Sequence, residues 1–285
     1  MKVLFIGVFN ETSTNNSQAR GFENAGWEVN NFNYREVANL TSNKDRDRFI
    51  VDTCRNEKFD LVLFSKCDEI DASVVVECGK ITKTALWYMD PMENFSMALQ
   101  LKAGLCDLVF CALESPYRVL KKFNENCYLI PEGFDNTIDF PQKEEFIYDV
   151  SFIGSVKWDR AEYNKISPFA QIEDAYGVEH AKTVAKSKIN LNFVVNNEGV
   201  SDRVYKILAA KGFLLTQPWP GMEKQFTPNQ DFIVFNGFDE YKKHIKYFLK
   251  HNNKRLKIAE QGYKSVQKYT RDNWAKEITE YYEKN

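Results

Sequence analysis

Long apolar runs are missing from this chain of 285 residues. No stretch approaches the ~18 consecutive apolar residues that mark a membrane-spanning helix. The apolar start at residues 2–9 is short and is followed by Asn10-Glu11-Thr12 rather than a small-residue cleavage site. It therefore reads as a first strand and not a secretory leader, and a cytoplasmic location is expected (the host cytoplasm, if the chain is viral). An excess of one charge is missing too. Lys plus Arg number 38 against 40 Asp plus Glu, for a net charge of −2. No global field recruits nucleic acid or a membrane surface, although a local basic patch is allowed. Only three histidines occur, His180, His244 and His251, with no carboxylate at ligand spacing, which argues against a His-based metal site. The six cysteines, Cys54, Cys67, Cys78, Cys106, Cys111 and Cys127, form no C-x-x-C pair. In a chain of this size they read as reduced, buried thiols rather than a disulfide framework or a zinc site. The G-x-G-x-x-G set is absent, and with it the dinucleotide fingerprint. No internal repeat or low-complexity segment is present.

What is present is alternation of short apolar runs with amphipathic segments. A hydrophobic content of 44% and a charged content of 27% are those of a soluble globular protein, and the length suits two domains. Strands are expected at residues 2–9, 27–34, 59–65, 83–88, 108–113 and 127–130, with helices at 18–25, 45–58, 72–81, 95–105 and 115–123. Pro131-Glu132-Gly133-Phe134-Asp135 punctuates the chain, and polar residues to Glu145 read as a linker. Strands at 148–155, 188–194 and 232–235 and helices at 178–186, 239–250 and 253–269 form a second β/α series, closed by an amphipathic helix at 271–284. The expected division is 1–135, 146–268 and a terminal helix, 269–285. The second series is sparse between Arg160 and Val178, as if one β/α unit had been lost.

The stretch 199–217 concentrates the chemistry: a glycine-started helix, a stop at Gly212, then a short buried strand. Ser201 and Arg203 fall in the helix's first turn, where unpaired N–H groups and the dipole favour an anion. A helix start with an adjacent Arg holds a phosphate or diphosphate. The alternative is an ordinary amphipathic helix with its Arg in solvent. Gly154 and Ser155 end a strand where backbone can approach a ligand, followed by Arg160. In open α/β sheets the carboxyl ends of strands face the ligand. That rule selects the loop with Asn10, Thr12 and Ser13, and also Asp90; Lys66 follows the third strand, and Asn190 and Asn192 alternate onto one polar side of the strand at 188–194. For Asp90 the structural alternative is a turn or cap before Pro91. The lysine-rich helices, with Lys242, Lys243, Lys246, Lys250, Lys254, Arg255 and Lys257, read as solvated faces.

Certain segments resemble a known family. They include Asp149-Val150-Ser151-Phe152-Ile153-Gly154-Ser155, Ser201-Asp202-Arg203-Val204-Tyr205 and Gly212-Phe213-Leu214-Leu215-Thr216. Fainter echoes are Leu86-Trp87-Tyr88-Met89-Asp90-Pro91 and Ile130-Pro131-Glu132-Gly133-Phe134-Asp135. The chain resembles the GT-B glycosyltransferases, in particular the group-1-like family that includes CgeB-type proteins. The resemblance implies an α/β fold of two Rossmann-like, doubly wound domains with a cleft between them and a C-terminal helix crossing back. It implies no cofactor beyond a nucleoside diphosphate sugar, a UDP-sugar, and no bound metal. Arg203 would neutralise the leaving diphosphate, with Gly154, Ser155, Arg160, Asn192 and Ser201 around the donor. The acceptor side would hold Asn10, Thr12, Ser13, Lys66 and Asp90, with Asp90 as general base. Lys206 departs from the family, which carries an acid after the aromatic; it is assigned to the phosphate. The acceptor is a glycan or small-molecule hydroxyl. A composition rich in Asn, Lys and Phe suits a bacteriophage or a low-GC bacterium, so the runner-up is a phage-type enzyme acting on hydroxymethylated bases of duplex DNA, such as hydroxymethylcytosine. A non-catalytic nucleotide-sugar-binding module is the third reading.

Overall fold

A computed structural model describes residues 1–156, 159–194 and 198–285. The chain divides into two compact units, Met1–Glu132 with Arg271–Asn285, and Gly133–Thr270.

The first unit carries strands β1 (Lys2–Gly7), β2 (Glu28–Asn33), β3 (Leu61–Ser65), β4 (Lys83–Tyr88), β5 (Leu108–Cys111) and β6 (Cys127–Leu129). They form one parallel six-stranded sheet in the order β2-β1-β3-β4-β5-β6. Strands β1, β3, β4 and β5 are buried almost throughout, which is why they read as unbroken apolar runs. The order reverses between β1 and β3, so a crevice opens at the carboxyl ends of those two strands. The helices are α1 (Thr14–Asn24), α2 (Tyr34–Leu40), α3 (Asn43–Asn56), α4 (Ala72–Gly79), α5 (Met97–Leu105) and α6 (Glu114–Leu120). Helix α1 begins four residues before the position read from periodicity, because Ser13 caps it: its Oγ accepts from the Asn15 amide at 3.2 Å. Helix α2 was not expected at all.

The second unit runs β7 (Tyr148–Ile153), α7 (Asp159–Ile166), β8 (Ala170–Ile172), α8 (Val178–Ala185), β9 (Ser187–Asn192), α9 (Asp202–Ala209), β10 (Leu214–Thr216), α10 (Met222–Gln225), β11 (Ile233–Val234), α11 (Gly237–Lys250) and α12 (Asn252–Val266). Its parallel five-stranded sheet has the order β11-β10-β9-β7-β8, with the reversal between β7 and β9. The supposed loss between Arg160 and Val178 is corrected by α7 and β8. Strand β8 is a three-residue edge strand with no buried residue, so it has no apolar run to announce it. Residues 136–145 belong to this unit, where Asp139 is buried and its Oδ2 accepts from the Asp135 amide at 3.0 Å. Aromatic residues dominate the core, with Phe152, Tyr163, Phe193, Phe235 and Tyr241 in mutual edge and tilted contact.

Helix α13 (Arg271–Lys284) completes the first unit. Trp274 meets Phe22 and Trp87 edge-on at 5.4 and 5.1 Å, and Tyr281 stacks on Tyr128 at 3.8 Å. Trp27 Nε1 donates to Thr279 Oγ1 at 2.8 Å, and buried Arg271 pairs with buried Glu132 at 2.8 Å. All six cysteines are free and buried. Among the described residues no helix is long and apolar enough to cross a membrane.

Candidate active site

The reversal point of the second sheet is occupied by Arg203. Its side chain turns back from the first turn of α9 toward the carboxyl ends of β7 and β9. Nε donates to the Ile153 carbonyl at 2.7 Å, and Nη1 donates to Asn192 Oδ1 at 3.1 Å and Ser201 Oγ at 3.3 Å. The hydrogen bonds it makes to described residues leave Nη2 unused. The guanidinium carbon lies 4.7 Å from the centre of the Phe152 ring, and that of Arg160 lies 5.3 Å from the same ring. Arg160 is anchored by Nη1 donating to the Ser155 carbonyl at 3.0 Å. Burial, and then the neighbouring Arg160 charge, push Arg203 down to about 10, with Asp202 opposing; the group remains a cation at neutral pH. Gly154 makes this approach possible. Its φ is +139°, and a Cβ there would stand 2.9 Å from Arg203 Nη2. Two guanidiniums thus lie against one aromatic ring near a helix start, an arrangement suited to a multiply charged anion.

The assigned donor residues divide on inspection. Gly154, Ser155, Arg160, Ser201 and Arg203 come together. Asn192 does not face outward: it is fully buried, with Nδ2 donating to Thr216 Oγ1 at 3.0 Å and Oδ1 bound to Arg203. It holds the arginine instead of meeting a ligand. Lys206, assigned to the phosphate, pairs its ammonium with Asp202 at 2.6 Å, four residues back on the same helix. Sequence reasoning missed an adjoining cavity of about 560 Å³ at the carboxyl ends of β10 and β11. Tyr163, Gln217, Trp219, Phe235 and Asn236 line it, and the buried Trp219 Nε1 has no hydrogen-bond partner among the described residues. The Gln217-Pro218-Trp219-Pro220 run directly after a strand was its one local signal.

In the first sheet, Lys66 and Asp90 end β3 and β4 and form an ion pair, with Asp68 3.5 Å from the same ammonium. Asp90 is not a cap: the turn that follows begins at Pro91 without a side-chain capping bond. Lys66 and Cys67 both occupy the left-handed region, at φ +62° and +55°. Such strain persists only where the surroundings impose it, and here two buried cations do so. Lys102 Nζ donates to the carbonyls of Cys67, Asp68 and Ile70 at 2.5, 3.2 and 3.1 Å, and Arg46 Nη2 donates to that of Glu69 at 2.7 Å. Lys102 is 1% exposed and Arg46 0%, and burial lowers the Lys102 ammonium. Neither residue was singled out from sequence, although a lysine inside the otherwise apolar segment 97–105 was a visible anomaly.

Of the remaining acceptor-side residues, Asn10 and Thr12 are exposed and bond to each other at 3.3 Å, while Ser13 is spent as the α1 cap. The residue that reaches the crevice is Asn15, with Oδ1 accepting from the Val8 amide at 2.9 Å and Nδ2 donating to Ser65 Oγ at 2.8 Å.

No curated protein matches in sequence. The glycosyl transferase-like family model matches residues 139–280. Among solved structures, HepE of Anabaena in complex with UDP and glucose is similar with a TM-score of 0.72 at 11% identity, covering 100% of both chains. An alpha-glucosyltransferase in complex with UDP-glucose and DNA containing an abasic site gives 0.69 at 10% identity, covering 99% of each chain. The DNA-modifying enzyme beta-glucosyltransferase gives 0.66 at 13%, covering 99% of this chain and 100% of that one. Together with the parallel sheets, the family match identifies the chain as a GT-B glycosyltransferase of the glycosyl transferase-like family.

Proposed function

We propose that the chain transfers a sugar from a UDP-sugar to a hydroxyl group of a glycan or small molecule. The observation that carries this reading is the convergence of Arg160 and Arg203 on Phe152 at the start of α9. Their charges, with the first amides of the helix, would bind the diphosphate and stabilise it as it leaves. The cavity beside Gln217 and Trp219 would take the nucleoside. UDP is chosen as the nucleotide because HepE was captured with UDP and glucose. Acceptor activation is assigned to Asp90, which pairs with the Lys66 ammonium beside it. No metal or other cofactor takes part in this scheme, so turnover should survive EDTA.

Calorimetric titration with UDP, followed by hydrolysis and transfer assays over a panel of UDP-sugars, tests the proposal. Tight UDP binding that Arg203→Ala abolishes is expected. Binding that is equally tight in that variant would refute the phosphate assignment. A second reading, duplex DNA as acceptor, draws on the two DNA-linked glucosyltransferases above and on the exposed Lys242, Lys243, Lys246, Lys250 and Lys257 of α11 and α12. A gel shift on duplex DNA at low salt, weakening as salt rises, supports it; absence of any shift removes it.

A further inference from the structure

Asp202 opens α9 directly before Arg203, which sets a carboxylate at the edge of the anion site. Its Oδ2 lies 2.6 Å from Lys206 Nζ, and the two side chains are only 26% and 24% exposed. A second carboxylate, Asp139, is buried and feels the charges of both Lys206 and Asp202. Its Oδ1 has no hydrogen-bond partner among the described residues. His180, also buried near this group, supplies no compensating charge. Burial, and then Lys206, push its imidazole down to about 3.

The local balance of charge is therefore narrow. Arg203 supplies positive charge and Asp202 stands close enough to offset it, while Asp139 adds a carboxylate near Asp202 and Lys206. Lys206 is the charge that offsets Asp202. We infer that Lys206 is a positioning residue for donor binding, acting through Asp202 and not by touching phosphate. By pairing one turn further along the helix, it draws the Asp202 carboxylate toward the helix interior and cancels it. Arg203 then meets the diphosphate with the neighbouring carboxylate cancelled. A lysine here serves a site that would otherwise present a carboxylate to an anion, the arrangement that like-charge repulsion disfavours. This inference rests on the donor reading given above.

The test is a double-variant cycle read by UDP titration at low ionic strength. Lys206→Met is expected to weaken UDP binding about five- to tenfold, the order of one uncancelled charge near a partly exposed anion site. Lys206→Arg keeps the pair and should bind within about twofold of the parent, which separates charge from folding. Asp202→Asn should bind UDP at least as tightly as the parent, and in that background Lys206→Met should have little further effect. A loss of equal size in both backgrounds would mean that Lys206 meets the phosphate directly, and would overturn the inference. Unchanged affinity in Lys206→Met, with binding lost in Arg203→Ala, would overturn it while leaving the donor reading intact. If Arg203→Ala itself binds UDP normally, the donor reading falls first.

Discussion

Replacing Gly154 with alanine tests the donor site at its tightest point. The glycine holds φ at +139°, and an added Cβ would stand 2.9 Å from Arg203 Nη2 and 3.4 Å from the Phe152 ring. Two separable costs follow. Holding an L-residue in this backbone region costs about 1–3 kcal/mol, which in a unit of this size lowers Tm by about 3–10 °C. Against a typical stability of about 5–15 kcal/mol the protein stays folded. The second cost falls on the ligand. The guanidinium cannot retreat freely, because Nε is held by Ile153 at 2.7 Å and Nη1 by Asn192 at 3.1 Å. Making room for the methyl group breaks one of these bonds or turns Nη2 away from the phosphate. A hydrogen bond to a charged group is worth about 1.5–3 kcal/mol, so UDP affinity should fall about 10- to 100-fold. Thermal melting and calorimetric UDP titration on the same sample separate the two. A lower Tm with unchanged UDP affinity would refute the reasoning, since Nη2 would then not serve the anion.

Asp90→Asn should leave UDP binding intact and slow transfer about 10²- to 10⁴-fold, as expected when a general base is removed; unimpaired transfer excludes that role. Asn192→Leu keeps the volume but deletes the Arg203 acceptor and the Thr216 contact. The KM for the UDP-sugar should rise about tenfold, and a stability loss with no change in KM would count against a positioning role. Stability against pH should show two opposed slopes. Burial raises Asp139 to about 6, so the fold favours its protonated form, and its contribution declines as pH rises from about 4 to about 6. Burial lowers His180 to about 3, so the fold favours the neutral ring, and its contribution climbs from about pH 3 to about pH 6.5. His180→Gln should therefore lose stability between pH 4.5 and 6, and Asp139→Asn should gain it, each by about 1.4 kcal/mol per pH unit, as urea midpoints would show. Slopes of the same sign in the two variants would contradict the burial of one of these groups.

The features that sequence alone revealed share one physical property, which is that their signal is local. Strands β1, β3, β4 and β5 are buried on both faces, so nothing polar interrupts their apolar runs. Strand β8 and helix α7 lacked such a run and went unread. The same division holds at the site. Gly154 and Arg203 were legible because a glycine at a strand end and an arginine at a helix start mean something without knowledge of the partners. Asn192 was read as a ligand group because alternation along β9 marks it as polar, yet alternation cannot say whether a polar face meets solvent or another side chain. Its partners, Thr216 and Arg203, arrive from the next strand and helix. Lys102 is the extreme case: a buried cation makes sense only once the carbonyls of residues 67, 68 and 70, some 32–35 positions earlier, have been folded against it. Lys206 is different, because its partner was in plain view. Asp202 and Lys206 are four apart on one helix, a spacing that brings any acid and base together. A cation near a phosphate site is therefore available to the ligand only after its i−4 and i+4 neighbours have been counted. By that count Arg203, tied among the described residues to neutral oxygens, is the charge we propose for the donor.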